Sequence, residues 1–505
     1  MHNPLFDALF APHAGSSRPL LLLAGSAVVT CDDFLKLAAR LANALVQNGA
    51  RPGDRVAVQV NKTPEALALY AACLQAGLVF VPLNTAYTPK EVAYFVEDAS
   101  PRILICDDSG REALEVVADR VGAMLMTLSK DGRGTLMIEA FGAPDAFETV
   151  PRDPDDLAAL LYTSGTTGRS KGAMLTHDNL LSNARELVKA WQFTAEDVLL
   201  HALPIFHTHG LFVGCGVMFL AGGTMIFLEG FRVNEVVDWL PRASAMMGVP
   251  TFYTRLLDDP RFNRRLVGHM RLFISGSAPL LATTHAACER RTGHRILERY
   301  GMTETGMNTS NPYEGERRAG TVGFPLPGVE LRIVSESSRK LLPAGEVGGI
   351  EVRGRNVCKG YWQRPEKTTE DFRADGFFKT GDLGLVDHDG YVQIVGRAKD
   401  LIISGGYNIY PKEVELVLDE LEGVIESAVV GVPHPDLGEG VIAAVIFSAD
   451  SQFDEAELLQ AMQNKIARFK QPKRIFAVAE LPRNSMGKVQ KNLLRQRFID
   501  TFETE

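Results

Sequence analysis

Apolar residues recur along the chain with the periods that distinguish helices from strands. Residues 31–49, CDDFLKLAARLANALVQNG, have apolar positions at helical spacing and end on Gly49, which suits the left-handed residue after a helix. Thr88-Pro89-Lys90-Glu91 supplies an N-cap, a proline and an acid, which predicts a helix over EVAYFVEDA. Short apolar runs (RVAVQV, RILIC, VLLHAL, AMMGV and MRLFIS) alternate with such patterns. This alternation predicts a layered α/β fold.

The last part of the chain has a different pattern of predicted elements. From about residue 330, strands and turns dominate in VELRIV, GGIEVRG and GYVQIVG, and then PKEVELVLDEL and EAELLQAMQNKIARF flank the strand-like ESAVVGVP. A chain of 505 residues exceeds what one hydrophobic core usually sustains. We therefore expect a large α/β domain followed by a small α+β domain, joined near GRAKD at 396–400.

One uncharged stretch, residues 211–228 (LFVGCGVMFLAGGTMIFL), is close to the shortest length that spans a membrane as a helix. Gly222 and Gly223 interrupt it, and TMIF has strand composition. The pattern favours a buried helix, a glycine turn and a strand, and no membrane span is expected.

Charge and cysteine usage narrow the function. The formal charge of -9 argues against a nucleic-acid or anionic-membrane partner, which would require a basic surface. Six scattered cysteines contain no CxxC pair or Cys/His cluster, so neither a zinc site nor a disulfide framework is indicated. The N-terminus has no secretory signal pattern. A cytoplasmic protein is expected.

Residues 162–172, YTSGTTGRSKG, follow the apolar run LAALL and combine three glycines with five serine and threonine hydroxyls, an arginine and a lysine. Such a segment suits phosphate binding, because glycines let backbone amides approach a ligand while hydroxyls and a lysine add donors. The P-loop pattern does not fit, since the lysine is offset and no hydroxyl follows it. A flexible surface linker is the alternative, but the buried approach and two basic residues favour a phosphate-binding loop.

Several other segments concentrate polar chemistry. FISGSAP, at 273–279, is a strand that ends in a Gly/Ser turn, where ligands bind in α/β sheets. In YGMTETG, Tyr300 could stack on a purine, Thr303 could bind phosphate and Glu304 could hold Mg²⁺. His207 and His209 could ligate a metal, although two histidines without a third ligand make this the weaker reading.

Two further residues take their meaning from the rest of the chain. Asp382, in FFKTGDLG, suits the two hydroxyls of a ribose, while Lys488, in LPRNSMGKVQ, taken alone reads as a solvated lysine. The ordered set YTSGTTGRSKG, YGMTETG, TGD, GRAKD and PRNSMGK closely resembles the motifs of the adenylate-forming enzymes, the superfamily of acyl-CoA synthetases, luciferases and peptide-synthetase adenylation domains. The resemblance covers essentially the whole chain.

The resemblance implies an AMP/ATP- and acid-binding domain at 1–397, a mobile C-terminal domain at 398–505 and a hinge near Lys399. It also implies that a carboxylate attacks the α-phosphate of Mg-ATP, giving an acyl-adenylate and pyrophosphate, and that the thiol of coenzyme A then displaces AMP. The implied catalytic residues are Lys488, Thr303 and Glu304. Glu304 and Thr167 are the implied metal residues. The nucleotide would be held by Thr163, Ser164, Gly165, Thr166, Thr167, Gly168, Lys171, Ser277, Ala278, Pro279, Tyr300, Gly301, Met302, Asp382 and Arg397, and coenzyme A by Ser404, Gly405, Gly406, Tyr407 and Lys470.

The activated acid is the finer question. HALPIFHTHG, GVPTFYTRLL, SGSAPLL and RYGMTETGMNTSNPY resemble malonyl-CoA synthetases. Arg255 follows GVPT, a segment that in the family leads into the helix lining the acyl pocket, and a guanidinium there could pair with a second carboxylate. The acid residues implied with it are Thr208, His209, Ser277 and Met307. The prediction is malonate, with methylmalonate as a further substrate. The alternative is another short, medium-chain or aryl acid, for which Arg255 would be an ordinary surface arginine.

Two alternative functions fit the sequence less well. An adenylation domain that loads a carrier protein is disfavoured, because the sequence ends soon after the Lys488 motif. A nucleotide-binding regulator is disfavoured because sensing ATP would not require Lys488. Since PRNSMGK resembles the acetylated loop of related synthetases, a lysine acetyltransferase and deacetylase acting on Lys488 are expected partners.

Overall fold

The computed structural model describes residues 2–163, 170–335, 338–405, 407–448, 454–463, 465–484 and 487–502. The chain forms two compact units. The first holds the residues up to Glu330 and Val352–Phe378, and the second holds Leu331–Glu351 and Lys379–Glu505. The predicted hinge at Lys399 lies inside the second unit. The predicted boundary at 397/398 concerns motion, and it stays a prediction.

The described strands of the first unit form two sheets. In chain order, β1 to β15 are Pro19–Leu22, Val28–Thr30, Arg55–Gln59, Val79–Pro82, Ile103–Cys106, Met124–Thr127, Leu157–Thr163, Lys171–Thr176, Val198–His201, Thr224–Phe227, Ala245–Gly248, Leu272–Ser275, Leu297–Met302, Gly306–Ser310 and Phe324–Pro325. One sheet has the order β15-β14-β13-β12-β11-β9-β10-β1-β2 and the other has β6-β5-β3-β4-β7-β8. Both are parallel in the middle and antiparallel at an edge. The predicted α/β organisation is confirmed.

Helices cover these sheets. In chain order, α1 to α13 are Pro4–Leu9, Cys31–Gln47, Pro64–Gln75, Pro89–Ala99, Arg111–Val121, Thr135–Gly142, His177–Ala190, Gly216–Ala221, Val233–Trp239, Pro250–Asp258, Arg264–Val267, Ala282–Thr292 and Pro365–Asp371. One apolar core packs β9 to β12 against α9, α10 and α11. Another packs β3, β4, β5 and β7 against α4 and α5. Each sheet therefore has its own core.

Local sequence signals fix several helix ends. The Thr88 hydroxyl caps α4 by accepting from the Glu91 amide, while the Glu91 carboxylate accepts from the Thr88 amide at 2.8 Å. This is the predicted capping box. Gly49 adopts a φ of 82° just after α2, as predicted.

The uncharged stretch breaks where its glycines stand. It contributes most of a π-helix at His209–Cys215, then α8, then Gly222 with a φ of 73°, and then β10. The predicted helix, turn and strand are confirmed. Among the described residues, no helix combines the length and apolar character that crossing a membrane requires.

The second unit combines two smaller sheets with helices. Strands β16 to β24 are Val329–Val334, Gly348–Gly354, Phe378–Val386, Val392–Arg397, Ile402–Ser404, Tyr407–Ile409, Val424–His434, Gly438–Phe447 and Arg474–Ala477, and α14 to α16 are Pro411–Asp419, Glu455–Met462 and Lys491–Arg497. One sheet has the order β16-β17-β18-β19, and the other has β21-β20-β23-β22 with β24 beside β23. Alternate residues of β22 enter two apolar cores, one under α14 and α15 and one under α16. The second sheet is thus covered on both faces, which makes it a rigid base for the loops that leave it.

Candidate active site

The predicted phosphate loop connects two antiparallel strands. Thr163 ends β7 and pairs in register with Lys171, the first residue of β8. The residues between them that we expect to bind nucleotide, Ser164, Gly165, Thr166, Thr167 and Gly168, lie outside the described residues, and so does Gly406 of the predicted CoA set. The strand pairing fixes where the loop begins and ends.

Lys171 and Glu304 are brought together by a residue that the sequence did not single out. The Lys171 ammonium lies 4.1 Å from the centroid of the Tyr361 ring and 3.3 Å from Asp371 Oδ2. The Tyr361 hydroxyl donates to Glu304 Oε1 at 3.1 Å. Tyr361 therefore links the phosphate-loop lysine to the predicted metal residue. Its only sequence signal was an aromatic pair in KGYWQRP.

Glu304 suits a magnesium ion that is shared with a nucleotide. It is buried in the turn between β13 and β14, with Thr303 beside it. No group of three or more potential metal ligands occurs within the part of the chain that the structure describes. Mg²⁺ commonly takes one or two carboxylates and completes its shell with substrate phosphates and water. A single buried carboxylate beside a phosphate loop fits that pattern.

The predicted nucleotide residues of the other motifs follow the carboxyl ends of adjacent parallel strands. Tyr300, Gly301 and Met302 end β13, and all three are half-buried. Ser277, Ala278 and Pro279 follow β12, and Ser277 has a φ of 70°. Ligands in α/β sheets bind at this edge. The two motifs thus reach one edge of the sheet, as expected.

Thr208 and His209, predicted to contact the acid, are buried near Ser277. The His209 Nδ1 atom lies 3.1 Å from Ser277 Oγ. The residue after them, Gly210, is held by His201, whose Nε2 bonds the Gly210 carbonyl at 2.9 Å and whose Nδ1 accepts from Lys62 at 2.8 Å. Since a carbonyl only accepts, the proton of His201 must be on Nε2. His201 thereby fixes the start of the π-helix that carries His209.

Arg299 is a site residue that the sequence analysis missed. It lies on β13, and only 4% of its surface is exposed. A Cβ atom on Gly276 would lie 2.3 Å from its Cζ, so the missing side chain of Gly276 makes room for the guanidinium. Burial lowers the pKa of Arg299 to about 9, which leaves it charged at neutral pH. A buried positive charge therefore stands next to the Ser277 turn.

Arg299 and the segments of His209 and Ser275 carry buried polar atoms that lack partners among the described residues. Arg299 Nε and Nη2, together with His209 Nε2, Thr208 Oγ1 and Ser275 Oγ, are buried and have no hydrogen-bond partner among the described residues. Burial, followed by the charge of Arg299, keeps the pKa of His209 well below its usual value, so His209 is neutral. Buried polar groups in proteins are nearly always paired. Arg299 and His209, whose charges interact, are therefore suited to an anionic ligand with several acceptor atoms.

The remaining acid residues have different surroundings. Arg255 is exposed in the last turn of α10, where a positive charge is favourable to the helix dipole. Met307 is buried on β14, and its methyl group would lie 2.5 Å from a Cβ on Gly301. Met307 therefore packs against the predicted nucleotide segment. The acid-binding role of Arg255 stays a prediction, and the structure adds Arg299 as a second guanidinium.

In the second unit, the two predicted ribose residues form an ion pair. Asp382 on β18 and Arg397 on β19 are opposite each other in register, with 2.7 Å between Oδ1 and Nε. Lys488 lies near this pair and keeps contact with solvent. Desolvation of its ammonium, with a smaller contribution from the like charge of Arg397, lowers the pKa of Lys488 to about 8. The structure therefore brings Asp382, Arg397 and Lys488 together.

The predicted CoA residues lie on and beside the hairpin of β20 and β21. Ser404 is buried, Gly405 has a φ of 57°, and Tyr407 is exposed and stacks on Phe469 at 4.6 Å between ring centroids. Lys470 is half-buried and pairs with Glu413. An exposed aromatic pair beside a lysine can bind a flat ring and an anion. The predicted hinge residue Lys399 is exposed.

Comparisons with known protein families agree with this arrangement. Residues 15–362 match the family model described as "AMP-binding enzyme", and residues 413–488 match "AMP-binding enzyme C-terminal domain". The two models cover the phosphate loop, the Glu304 turn and the Lys488 loop. The fold and the motif residues therefore point in the same direction.

Individual relatives are similar over most of their length. The crystal structure of ATP-bound MatB from Rhodopseudomonas palustris has 54% identity and a TM-score of 0.98, with 100% of both chains covered. A feruloyl-CoA synthase from Amycolatopsis is 36% identical, with 98% of each chain covered. A malonate–CoA ligase from Arabidopsis thaliana is 36% identical over 89% of this chain and 78% of its own.

Proposed function

The chain belongs to the family of AMP-binding enzymes, and from that premise we propose that it ligates malonate to coenzyme A. Malonate attacks ATP to form malonyl-adenylate and pyrophosphate, and the thiol of coenzyme A then displaces AMP. Methylmalonate, which differs by one methyl group, is the proposed second acid. Malonate–CoA ligases from a plant and from mammals are among the relatives. ATP, Mg²⁺ and coenzyme A are the reactants and cofactors that this chemistry needs.

The observation that carries the choice of malonate is the buried guanidinium of Arg299. An unpaired charge in a protein interior is costly, and a hydrogen-bonded counter-charge removes most of that cost. Malonate has one carboxylate to react and a second that can accept from Arg299 while His209 and Thr208 complete its shell. A fatty or aromatic acid would leave Arg299 without a counter-charge. The acid site is therefore matched to a short dicarboxylate.

The chemistry of the first step requires charge neutralisation more than proton transfer. A carboxylate is already ionised at neutral pH, and it must approach a phosphate that is also negative. Lys488, in our proposal, places its ammonium between the two, and Lys171 and the phosphate loop hold the leaving pyrophosphate. Glu304 would hold Mg²⁺, which supplies positive charge to the phosphates. Asp382 and Arg397 are the proposed ribose contacts.

The second step is proposed to use another face of the small domain. A rotation at Lys399 would withdraw Lys488 and present Ser404, Gly405, Tyr407 and Lys470 to coenzyme A. Proline fixes φ and restricts such a rotation. A Lys399→Pro variant should therefore keep malonate-dependent pyrophosphate exchange while losing thioester formation.

The decisive test is AMP release with malonate, methylmalonate, octanoate, benzoate and ferulate, each with coenzyme A. We expect malonate to give the highest kcat/KM. Higher turnover of ferulate or benzoate would replace the malonate proposal by the alternative acids, and a feruloyl-CoA synthase among the relatives makes ferulate the most informative competitor. Background AMP release with every acid would argue against ligase activity altogether.

We also propose that acetylation of Lys488 by a lysine acetyltransferase switches the first step off, and that a deacetylase restores it. Acetylation removes the charge that adenylation needs, whereas the thiol step depends on other residues. Intact-mass analysis after enzymatic acetylation, combined with both half-reactions, tests this. Modification at Lys488 with full adenylation would contradict it. A cytoplasmic location is proposed as well, because the six cysteines are free.

A further inference from the structure

The loop that carries Lys488 is held in a tight hairpin by Asn484. The Asn484 amide donates to the Lys488 carbonyl at 3.0 Å, and the Lys488 amide donates to Asn484 Oδ1 at 3.0 Å. The Gly487 amide donates to the Asn484 carbonyl at 2.9 Å, with Gly487 at a φ of 73°. These bonds fix the backbone of Lys488 relative to Asn484. They do not by themselves fix the hairpin relative to the sheet beneath it.

Arg483 makes that second connection. Its Nη1 donates to the Gly487 carbonyl at 2.8 Å, next to the peptide that leads into Lys488. Its Nη2 forms an ion pair with Glu426 on β22, and both side chains are about three-quarters buried. β22 is the long strand that is covered on both faces. One planar side chain therefore spans from a rigid strand to the residue before Lys488.

The contact acts on position and not on the charge of Lys488. Beyond desolvation, the main charges that shift the pKa of Lys488 are Arg397, Asp382, Lys399 and Asp400. Arg483 instead reaches the loop through a carbonyl oxygen. Removing it should loosen the hairpin while the pKa of Lys488 stays near its present value.

We propose that Arg483 is a positioning residue for the adenylation half-reaction, holding Lys488 by bridging Glu426 and the Gly487 carbonyl. The inference rests on the proposed function, because it takes Lys488 as the lysine of the first step. Arginine is required since its planar guanidinium offers donors along two edges at once, whereas a lysine ammonium is a compact point charge. A displacement of about 1 Å at a reacting group can lower a rate roughly 100-fold.

The test compares the two half-reactions in the full-length protein. Arg483→Gln should lower kcat of malonate-dependent pyrophosphate exchange about 10- to 100-fold, with KM for ATP and malonate changed less than about threefold. Thioester formation from preformed malonyl-adenylate and coenzyme A should stay near wild type. Arg483→Lys, which can still reach Glu426, should recover only part of the exchange rate. The matched control is Arg474→Gln, which removes an Arg–Glu pair of the same unit that joins the start of β24 to the start of α15 and should leave both steps unchanged.

Glu426→Gln provides an independent variant if Arg483→Gln is poorly folded. It should reproduce the selective loss of exchange, and the double variant should be no worse than the single ones because both remove one bridge. Equal losses in both half-reactions, or a rise in KM without a fall in kcat, would overturn the positioning role. Failure of the malonate proposal would look different. Wild type would then exchange pyrophosphate with another acid, and the Arg483 comparison would be made with that acid.

Discussion

Replacing Arg299 by methionine should abolish most malonate activation without destabilising the protein. Methionine has a similar length and no charge, so it can fill the space against Gly276 without needing a partner. In the wild type, Arg299 Nε and Nη2 are buried without a partner among the described side chains and backbone groups. The substitution therefore removes a desolvated charge from the unliganded protein and a counter-charge from the malonate complex.

The effect on malonate activation and the effect on the stability of the unliganded protein should have opposite signs. Truncating one member of a buried charge pair costs about 2–5 kcal/mol, so kcat/KM for malonate should fall roughly 30- to 4000-fold. Replacing buried charges by apolar groups of similar volume is often neutral or stabilising by about 1–4 kcal/mol. The free energy of unfolding of the unliganded variant should therefore stay the same or rise. An ordinary core residue would show loss of activity together with loss of stability.

The assay measures AMP release with malonate and with butyrate, and urea denaturation measures stability. Butyrate has one carbon more than malonate and lacks the second carboxylate. Butyrate turnover should change little or improve in Arg299→Met. Arg255→Met, at an arginine that is exposed, tests in the same experiment the acid-binding role predicted for that residue. If Arg299→Met kept its malonate kcat/KM within about threefold, or if both acids were affected equally, the reasoning from the buried charge would be refuted.

Three further predictions follow from the site and from the buried histidines. The kcat/KM of pyrophosphate exchange should fall as the pH rises through about 8, because Lys488 loses its charge there in the free enzyme. The fall in kcat should occur at a higher pH, since bound ATP favours the charged ammonium. A pH profile that stays flat to pH 9.5 would contradict this. Glu304→Gln keeps the acceptor for Tyr361 but loses a charge, so the Mg²⁺ concentration for half-maximal pyrophosphate exchange should rise about tenfold or more. An unchanged Mg²⁺ concentration would exclude Glu304 as a metal ligand. Burial lowers the pKa of His177 and His207 to about 4 and that of His201 to about 3. The unfolded chain therefore binds more protons than the folded one between about pH 6.5 and 4, and the free energy of unfolding should decrease as the pH falls through that window. Denaturation curves at pH 7, 6 and 5 would show this decrease.

The sequence predicted those parts of the fold that depend on neighbouring residues. The Thr88 cap, the turn after α2 and the break at Gly222 depend on residues within a few positions of each other, and each was predicted from the local pattern. The compact units could not be predicted in this way. Leu331–Glu351 belongs with residues after Lys379 because β17 and β18, which are separated along the chain, pair in one sheet. The Gly345 amide, in the turn before β17, also donates to the Val386 carbonyl at 2.8 Å.

The same distinction holds for the candidate site. Motifs identified Glu304, but the contact that fixes it comes from a residue distant in sequence. Tyr361 reaches Glu304 across 57 positions, and its own segment carries no polar motif. Two arginines near acid-binding motifs could equally have served the second carboxylate. Helical or strand periodicity did not predict that Arg255 would be exposed and Arg299 buried. The burial of Arg299 depends on the space left by Gly276.

In our proposal, the cost of burying Arg299 makes the site selective for a dicarboxylate. An enzyme discriminates strongly when a wrong substrate leaves a buried polar group unpaired, and only weakly when it merely fills a pocket less well. His209 supports this discrimination because it is neutral and held by Ser277. It can donate to the substrate without adding a second positive charge that would attract any anion. If His209 were protonated, two buried positive charges would face one carboxylate, and one of them would stay uncompensated. With the charge of Arg299 beside the neutral His209, the proposed site would take the second carboxylate of malonate while the first one reacts.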